Sequence, residues 1–102
     1  MIVYEVNLDV DADIAPAYVA WLETHMREIR ALPGFVGAEL FDEAERSEAR
    51  QRRLCVQYRL VGMADLDTYL REHAARLRAD GEARFGGRFR ATRRVLERRL
   101  AL

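Results

Sequence analysis

The fold is decided by residues 2–10, which read Ile2-Val3-Tyr4-Glu5-Val6-Asn7-Leu8-Asp9-Val10. Every second residue of this stretch is apolar, and such alternation is the period of a β-strand with one buried face. The period then changes, because apolar residues recur at helical spacing between Ile14 and Leu32. A helix therefore follows the first strand, with Asp13 as a candidate N-cap and Pro16 in its first turn.

The same two periods alternate along the rest of the chain. Residues 35–42 and 54–60 predict a second and a third strand, joined by a charged hairpin loop at 43–50. A second amphipathic helix begins near Met63, glycines at 81, 86 and 87 interrupt the chain, and a last strand runs from Phe89 to about Leu96. The order β-α-β-β-α-β predicts one ferredoxin-like α+β domain over residues 1–102. It has a four-stranded antiparallel sheet with both helices on one face.

Both faces of the predicted sheet carry apolar residues, although helices cover only one. One face is strongly apolar and consists of Tyr4, Val6, Leu8, Val56, Tyr58 and Leu60. The opposite face still carries Val3, Ala38 or Phe41, Cys55 and Phe89. An apolar face that no helix covers favours a homodimer formed through the sheet.

Length and composition exclude several classes of protein. The 102 residues allow one core and contain no run of about 20 apolar residues that a membrane span needs. The N-terminus lacks the pattern of a signal peptide, and the single cysteine, Cys55, forms no internal disulfide. We therefore expect a cytoplasmic protein without a membrane partner, in which Cys55 is a buried, inert thiol.

The net charge is zero, but the two halves of the chain differ in sign. Residues 1–48 carry eleven acidic residues and three arginines, and residues 49–102 carry six acidic residues and fourteen arginines. The absence of lysine reflects either a GC-rich genome or a use of guanidinium groups for anion contact. Arginines interleaved with Phe85 and Phe89 are typical of nucleic-acid binding, but the neutral chain and the interruptions by Glu82 and Glu97 argue against it.

The two histidines are the candidate catalytic residues. His25 lies near the centre of the apolar arc of the first helix, and His73 near that of the second. Both imidazoles are therefore expected to point at the sheet, where each would act as an acid or base near neutral pH. The alternative is a core histidine that donates to a carbonyl or carboxylate. No carboxylate lies one turn from either histidine on the same face, so we expect no metal site.

Aromatic residues surround the histidines along the helices. Tyr18 and Trp21 share the arc of His25, and Tyr69 shares that of His73, which predicts a pocket for a small planar ligand. Core packing of the same rings is the alternative. Gln57 is a polar residue in the third strand that would bind either a ligand or a partner strand. The sequence contains no CxxC, HExxH, Ser-His-Asp or phosphate-loop pattern.

Several segments of the chain together resemble a small bacterial family of domains of unknown function. They are Met1-Ile2-Val3-Tyr4-Glu5-Val6-Asn7, Trp21-Leu22 with His25, Val56-Gln57-Tyr58, Leu77-Arg78-Ala79-Asp80-Gly81 and Arg84-Phe85-Gly86-Gly87-Arg88-Phe89. That family is similar to the dimeric α+β barrel superfamily, in which two such sheets close face to face. The resemblance covers nearly the whole chain.

The resemblance implies a cleft between helices and sheet in each protomer. The superfamily includes cofactor-free monooxygenases that act on polycyclic phenols, lactone isomerases and haem-degrading enzymes. Asn7 and His73 resemble an asparagine and a histidine of the haem-degrading branch. That branch also has a tryptophan on the second helix, where this chain has Leu66 and Tyr69.

We expect from this a small-molecule-binding homodimer, which would act as a cofactor-independent monooxygenase or isomerase and need no cofactor. His25 would be the acid–base group, with His73, Tyr18 and Trp21 shaping the cleft and Asn7 or Gln57 orienting a ligand carbonyl. The alternative is a non-enzymatic dimeric scaffold or regulatory module that binds a partner through the 43–50 loop. This alternative predicts no enclosed polar pocket and two hydrogen-bonded core histidines.

Overall fold

A computed structural model describes residues 1–45 and 50–102. The elements are β1 (Ile2–Asp11), α1 (Ala15–Arg30), β2 (Phe35–Asp42), β3 (Gln51–Leu60), α2 (Met63–Glu72), α3 (Ala74–Phe85) and β4 (Phe89–Glu97). The strands form one antiparallel sheet in the order β2-β3-β1-β4. The predicted ferredoxin-like α+β fold is therefore confirmed, with the second helix divided into α2 and α3.

The inner face of the sheet, which we define as the face under the helices, forms the core. Its buried strand residues include the whole apolar set predicted from the alternation: Tyr4, Val6, Leu8, Val56, Tyr58 and Leu60. Leu22 and Ile29 of α1 and Leu66 of α2 are buried against them. Because burial of one such side chain contributes about 1.5–3 kcal/mol, this layer fixes where the helices sit.

The strand register places Phe89 on the inner face. Phe89 pairs with Val10, which is fully buried, and its ring lies 5.1 Å from that of Tyr18 on α1. The predicted position of Phe89 on the opposite face was therefore wrong. Directly opposed residues of antiparallel strands share a face, and the register of β4 could not be set from its own sequence. For the same reason Ala38, which pairs with Tyr58, is on the inner face.

The second helix differs from its prediction at both His73 and Gly81. His73 has non-helical dihedral angles (φ −125°, ψ −32°) and separates α2 from α3. At this bend Ala74 is buried and His73 only half-buried, and Leu70 of α2 is 40% exposed. Gly81, predicted to interrupt the chain, lies inside α3, which continues to Phe85. Gly81 is buried there against the indole of Trp21, which leaves no room for a larger residue.

Two smaller predictions at strand and helix ends were also wrong. Asp13 does not cap α1, because it lies in a 3₁₀ helix (Ala12–Ile14) and pairs with Arg88. β3 begins at Gln51, three residues earlier than expected, because it pairs with β1 as far as Asp11. Of the predicted 43–50 loop, residues 46–49 lie outside the described part of the chain.

The acidic and basic halves of the sequence meet inside one chain. Asp11 at the end of β1 pairs with Arg88, just before β4, at 2.8 Å and with Arg90, within β4, at 2.9 Å. Arg94 of β4 pairs with Glu5 of β1. Much of the charge asymmetry is thus neutralised between neighbouring strands, so it does not require a partner of opposite charge. No helix within residues 1–45 or 50–102 is long and apolar enough to span a membrane.

Candidate functional site

A cavity of about 460 Å³ lies between the helices and the inner face of the sheet. Its volume falls within the range of about 300–1,000 Å³ that is typical of small-molecule sites. Six of its eighteen lining residues are aromatic: Tyr4, Tyr18, Trp21, Tyr58, Tyr69 and Phe89. Its titratable and charged wall residues are His25, Arg78, Glu82, Arg90 and Arg93. The cavity therefore combines a large apolar surface with a few polar groups.

The indole of Trp21 is held in a fixed position on one wall. Its Nε1 donates a hydrogen bond to Asp80 Oδ2 at 2.8 Å. The ring of His25, one helical turn further along α1, stacks on it with a centroid distance of 4.5 Å and an interplanar angle of 24°. A Cβ atom placed on Gly81 would lie 2.8 Å from Trp21 Cη2, so α3 and the indole are in close contact. Trp21 and His25 thus form one rigid unit.

The imidazole of His25 is poised to remain neutral at physiological pH. Burial lowers its pKa below the ordinary value, an effect that Arg93 reinforces and that Glu28 and Asp80 oppose. Among the described residues its imidazole has no hydrogen-bond partner. A core histidine would be expected to have one. The geometry instead leaves a neutral imidazole nitrogen free to accept a proton from a molecule in the cavity.

Three tyrosines form a cluster at another part of the cavity. The ring of Tyr4 lies 6.2 Å from that of Tyr58 and 5.8 Å from that of Tyr69. Burial raises the pKa of Tyr69 to about 12, and it raises that of Tyr58 further. Within the described residues the hydroxyls of Tyr58 and Tyr69 have no hydrogen-bond partner. They are therefore protonated phenols that can donate to a bound oxygen atom.

Asn7 and Gln57, which the sequence placed among the ligand-binding residues, are not brought to this cavity. They lie on the outer face of the sheet, which we define as the face without helices. Gln57 Nε2 donates to Glu5 Oε1 at 2.9 Å, and Asn7 Nδ2 donates to Glu5 Oε2 at 3.0 Å. Side chains alternate between the two faces of a strand. Asn7 in β1 therefore lies on the face opposite Tyr4, and Gln57 in β3 lies on the face opposite its neighbour Tyr58.

Glu5 is the centre of this outer cluster. It is 3% exposed although it lies on the open face, and it also accepts a hydrogen bond from Arg94. The Arg94, Asn7 and Gln57 hydrogen bonds lower the pKa of Glu5 from 4.5 to about 2. Nearby, burial raises the pKa of the Cys55 thiol, which agrees with an unreactive cysteine.

The structure does not bring His73 into the cavity with His25. His73 is half-buried at the junction of α2 and α3, and it is not among the residues that line the cavity. Tyr18, Trp21, His25 and Tyr69 do line it together. In the described part of the chain no three or more His, Cys, Asp and Glu residues are grouped so that they could hold a metal ion.

Sequence reasoning missed the cavity residues Tyr4, Arg78 and Arg93. The alternation predicts Tyr4 only as a member of the strongly apolar face of the sheet, and it leaves open which face meets the helices. Arg93 pairs with Val6 and therefore shares the inner face with Phe89, four residues earlier. Because Phe89 was predicted on the opposite face, Arg93 was not recognised as a cavity residue. Arg78 follows Leu77, and only the bend at His73 turns it towards Tyr4, to whose hydroxyl it donates at 2.8 Å.

Comparisons with known proteins agree with the fold. Residues 1–99 match the family described as "Domain of unknown function (DUF4286)". A putative antibiotic biosynthesis monooxygenase from Nitrosomonas europaea superimposes with a TM-score of 0.74 at 13% identity, covering 98% of this chain and 100% of that one. A variant of SnoaB, a cofactor-independent oxygenase from Streptomyces nogalater, gives 0.66 at 17% identity, covering 99% and 96%.

A variant of MhuD with two manganese protoporphyrin IX molecules bound per active site gives a TM-score of 0.73. The identity is 16%, and the match covers 100% of this chain and 98% of that one. No curated protein matches the sequence significantly. At these identities the structural matches show a shared fold alone, the ferredoxin-like α+β fold with its four-stranded antiparallel sheet.

Proposed function

This chain belongs to the DUF4286 family, and we propose that it is a small-molecule-binding protein whose cavity holds a planar ligand beside His25. In this proposal His25 is the acid–base group of a cofactor-independent monooxygenase or isomerase. The observation that carries the proposal is a half-buried imidazole without a hydrogen-bond partner in the described residues, stacked on Trp21 at the wall of an aromatic cavity.

The proposed reaction begins when the site removes one proton from the ligand. A planar ligand packs among the rings of Tyr18, Trp21 and Phe89 and presents an acidic C–H or O–H to the free nitrogen of His25. The proton moves to the imidazole, and the ligand becomes an anion. Tyr58 and Tyr69 stabilise this anion through their hydroxyl protons. Return of the proton to another carbon gives an isomerase, and reaction of the anion with dioxygen gives an oxygenase.

Two comparisons support an oxygenase within this proposal. The chain has the fold of SnoaB, a cofactor-independent oxygenase, and of proteins described as antibiotic biosynthesis monooxygenases. An aromatic cavity with one base fits a reaction that starts from a ligand carbanion. The scaffold alternative has less support, since it expects no polar cavity and a hydrogen-bonded His25.

The test uses anthrone, a planar probe with an acidic C–H that dioxygen converts to anthraquinone and water. Wild-type protein should accelerate anthraquinone formation over buffer, and His25→Gln should lower that rate by about 100-fold or more, the usual contribution of a positioned base. His73→Gln is the matched control and should keep the wild-type rate. Equal rates for His25→Gln and wild type would remove His25 from the mechanism, provided far-UV circular dichroism shows both folded.

We also propose that two copies pair through the outer face into a cytoplasmic homodimer. The outer face carries Val3, Phe41 and Leu96 around the Glu5 cluster, and no helix of residues 1–45 or 50–102 covers it. Native mass spectrometry should give a mass near twice 11.8 kDa. Phe41→Glu should shift the distribution towards monomer, whereas Val61→Glu, an exposed change beyond the sheet, should not. A wild-type monomer would contradict this pairing.

A further inference from the structure

Arg78 is an arginine whose charge is only partly satisfied. It is half-buried on α3, and its Nη2 donates to Tyr4 Oη at 2.8 Å. Its Nε is buried and has no hydrogen-bond partner among the described residues. No carboxylate of residues 1–45 or 50–102 lies within ion-pair distance of it. A partly desolvated guanidinium without a counter-ion is costly, so its position calls for a partner.

Arg93 is an exposed arginine of the cavity wall that also lacks an ion pair among the described residues. It lies on the inner face of β4. Arg90, which also lines the cavity, differs because it pairs with Asp11 at 2.9 Å. The free positive charge of the cavity therefore resides on Arg78 and Arg93.

The two arginines act together at one end of the cavity. Burial raises the pKa of Tyr69, and Arg78 and Arg93 both lower it. Arg93 also acts on Tyr18, where its effect opposes those of burial and of Glu82. Both positive charges thus act at the end of the cavity with Tyr4 and Tyr69, whereas Arg93 and Glu82 oppose each other at Tyr18.

We propose that the cavity binds planar aromatic anions, with the anionic oxygen at Arg78 and Arg93 and the ring against Tyr18 and Trp21. The oxygen belongs to a carboxylate or a phenolate, because a guanidinium pairs with both and a phenol hydroxyl such as that of Tyr69 donates to both. This inference rests on the proposed function and adds the charge class of the ligand to it. It assigns Arg78 as a binding residue that selects anions.

The test compares two probes of the same shape by isothermal titration calorimetry. 2-Naphthoate carries one negative charge at pH 7.5, and 2-naphthamide is its neutral counterpart. Wild-type protein should bind the anion at least about tenfold more tightly, as expected for hydrogen bonds to a charged group. Arg78→Gln should bring the ratio of the two affinities close to one while keeping the affinity for 2-naphthamide. Arg76→Gln, an exposed change on the same helix outside the cavity wall, should preserve the wild-type ratio.

Two further variants keep the test decisive if Arg78→Gln does not fold. Arg78→Lys keeps the charge and should retain part of the preference, and Arg93→Gln should reduce it less than loss of Arg78 because Arg93 is exposed. Equal affinity of wild type for the two probes, or an unchanged ratio in every variant, would overturn the anion site and leave the cavity proposal standing. Absence of binding for both probes would overturn both proposals.

Discussion

Gly81→Ala tests the contact that builds the cavity wall. In an exposed helix this change would stabilise the protein by about 1 kcal/mol, since alanine has the higher helix propensity. In this chain the new Cβ would lie 2.8 Å from Trp21 Cη2 and 3.3 Å from Cζ2. Carbon atoms pack at about 3.5–4.0 Å, so the indole must retreat by about 0.7 Å or more.

The retreat of the indole is expensive because Trp21 is held on three sides. It stacks on His25, donates to Asp80 and lies 5.5 Å from the ring of Tyr18. Overpacking of this kind costs about 1–3 kcal/mol, which offsets or exceeds the gain in helix propensity. We therefore expect Gly81→Ala to change the free energy of unfolding by between about zero and −2 kcal/mol.

A double-mutant cycle with Trp21→Leu isolates the contact. Leucine ends short of the indole edge, so Gly81→Ala should stabilise the Trp21→Leu protein by about 1 kcal/mol, and the coupling energy should be about 1–3 kcal/mol. The assay is urea unfolding followed by far-UV circular dichroism at one fixed protein concentration, since a dimer unfolds in a concentration-dependent manner. If Gly81→Ala stabilises both backgrounds equally, Trp21 does not pack on α3 and the cavity wall is described wrongly.

Further predictions concern the two titratable groups with distinct environments. The imidazole of His25 should titrate below its ordinary pKa of 6.5 in ¹⁵N-histidine NMR spectra assigned with His73→Gln; a pKa above 6.5 would contradict the burial of His25. Glu5→Gln should lower the free energy of unfolding at pH 7 by about 1–3 kcal/mol. Because the pKa of Glu5 is lowered from 4.5 to about 2, wild type should lose this advantage as the pH falls from 4.5 towards 2. Glu23→Gln, an exposed control, should match wild type in urea titrations at each pH, and an unchanged acid profile for Glu5→Gln would refute the role of the Glu5 cluster.

The sequence predicted the sheet well because its strongest pattern has a physical period. Alternation in β1 and β3 predicts that Tyr4, Val6, Val56 and Tyr58 share one apolar face, and all four are buried on the inner face. The weak alternation of β4 did not fix its register, since polar or charged residues occupy five of its nine positions, three of them arginines. Only pairing with β1 sets that register, so Phe89 was assigned to the wrong face and Arg93 was overlooked.

The candidate site was predicted in part for a related reason. Tyr18, Trp21 and His25 lie on one regular helix, so helical spacing alone placed them together. His73 lies at the bend between α2 and α3, and Arg78 lies after it. No residue type announces this bend, so the assumption of a straight helix misjudged both residues. The glycine at position 81 was interpreted as a break, although its role is to let the indole of Trp21 approach α3.

The central claim is that the cavity under the helices binds a planar ligand. The most direct test is a ¹H–¹⁵N NMR titration with 2-naphthoate, since Trp21 is the only tryptophan and its indole N–H signal needs no further assignment. We predict large shifts of this signal and of the Gly81 amide, with the side-chain amides of Asn7 and Gln57 on the outer face unchanged. Shifts confined to Asn7 and Gln57, or no shift at Trp21 at saturating probe, would contradict the claim.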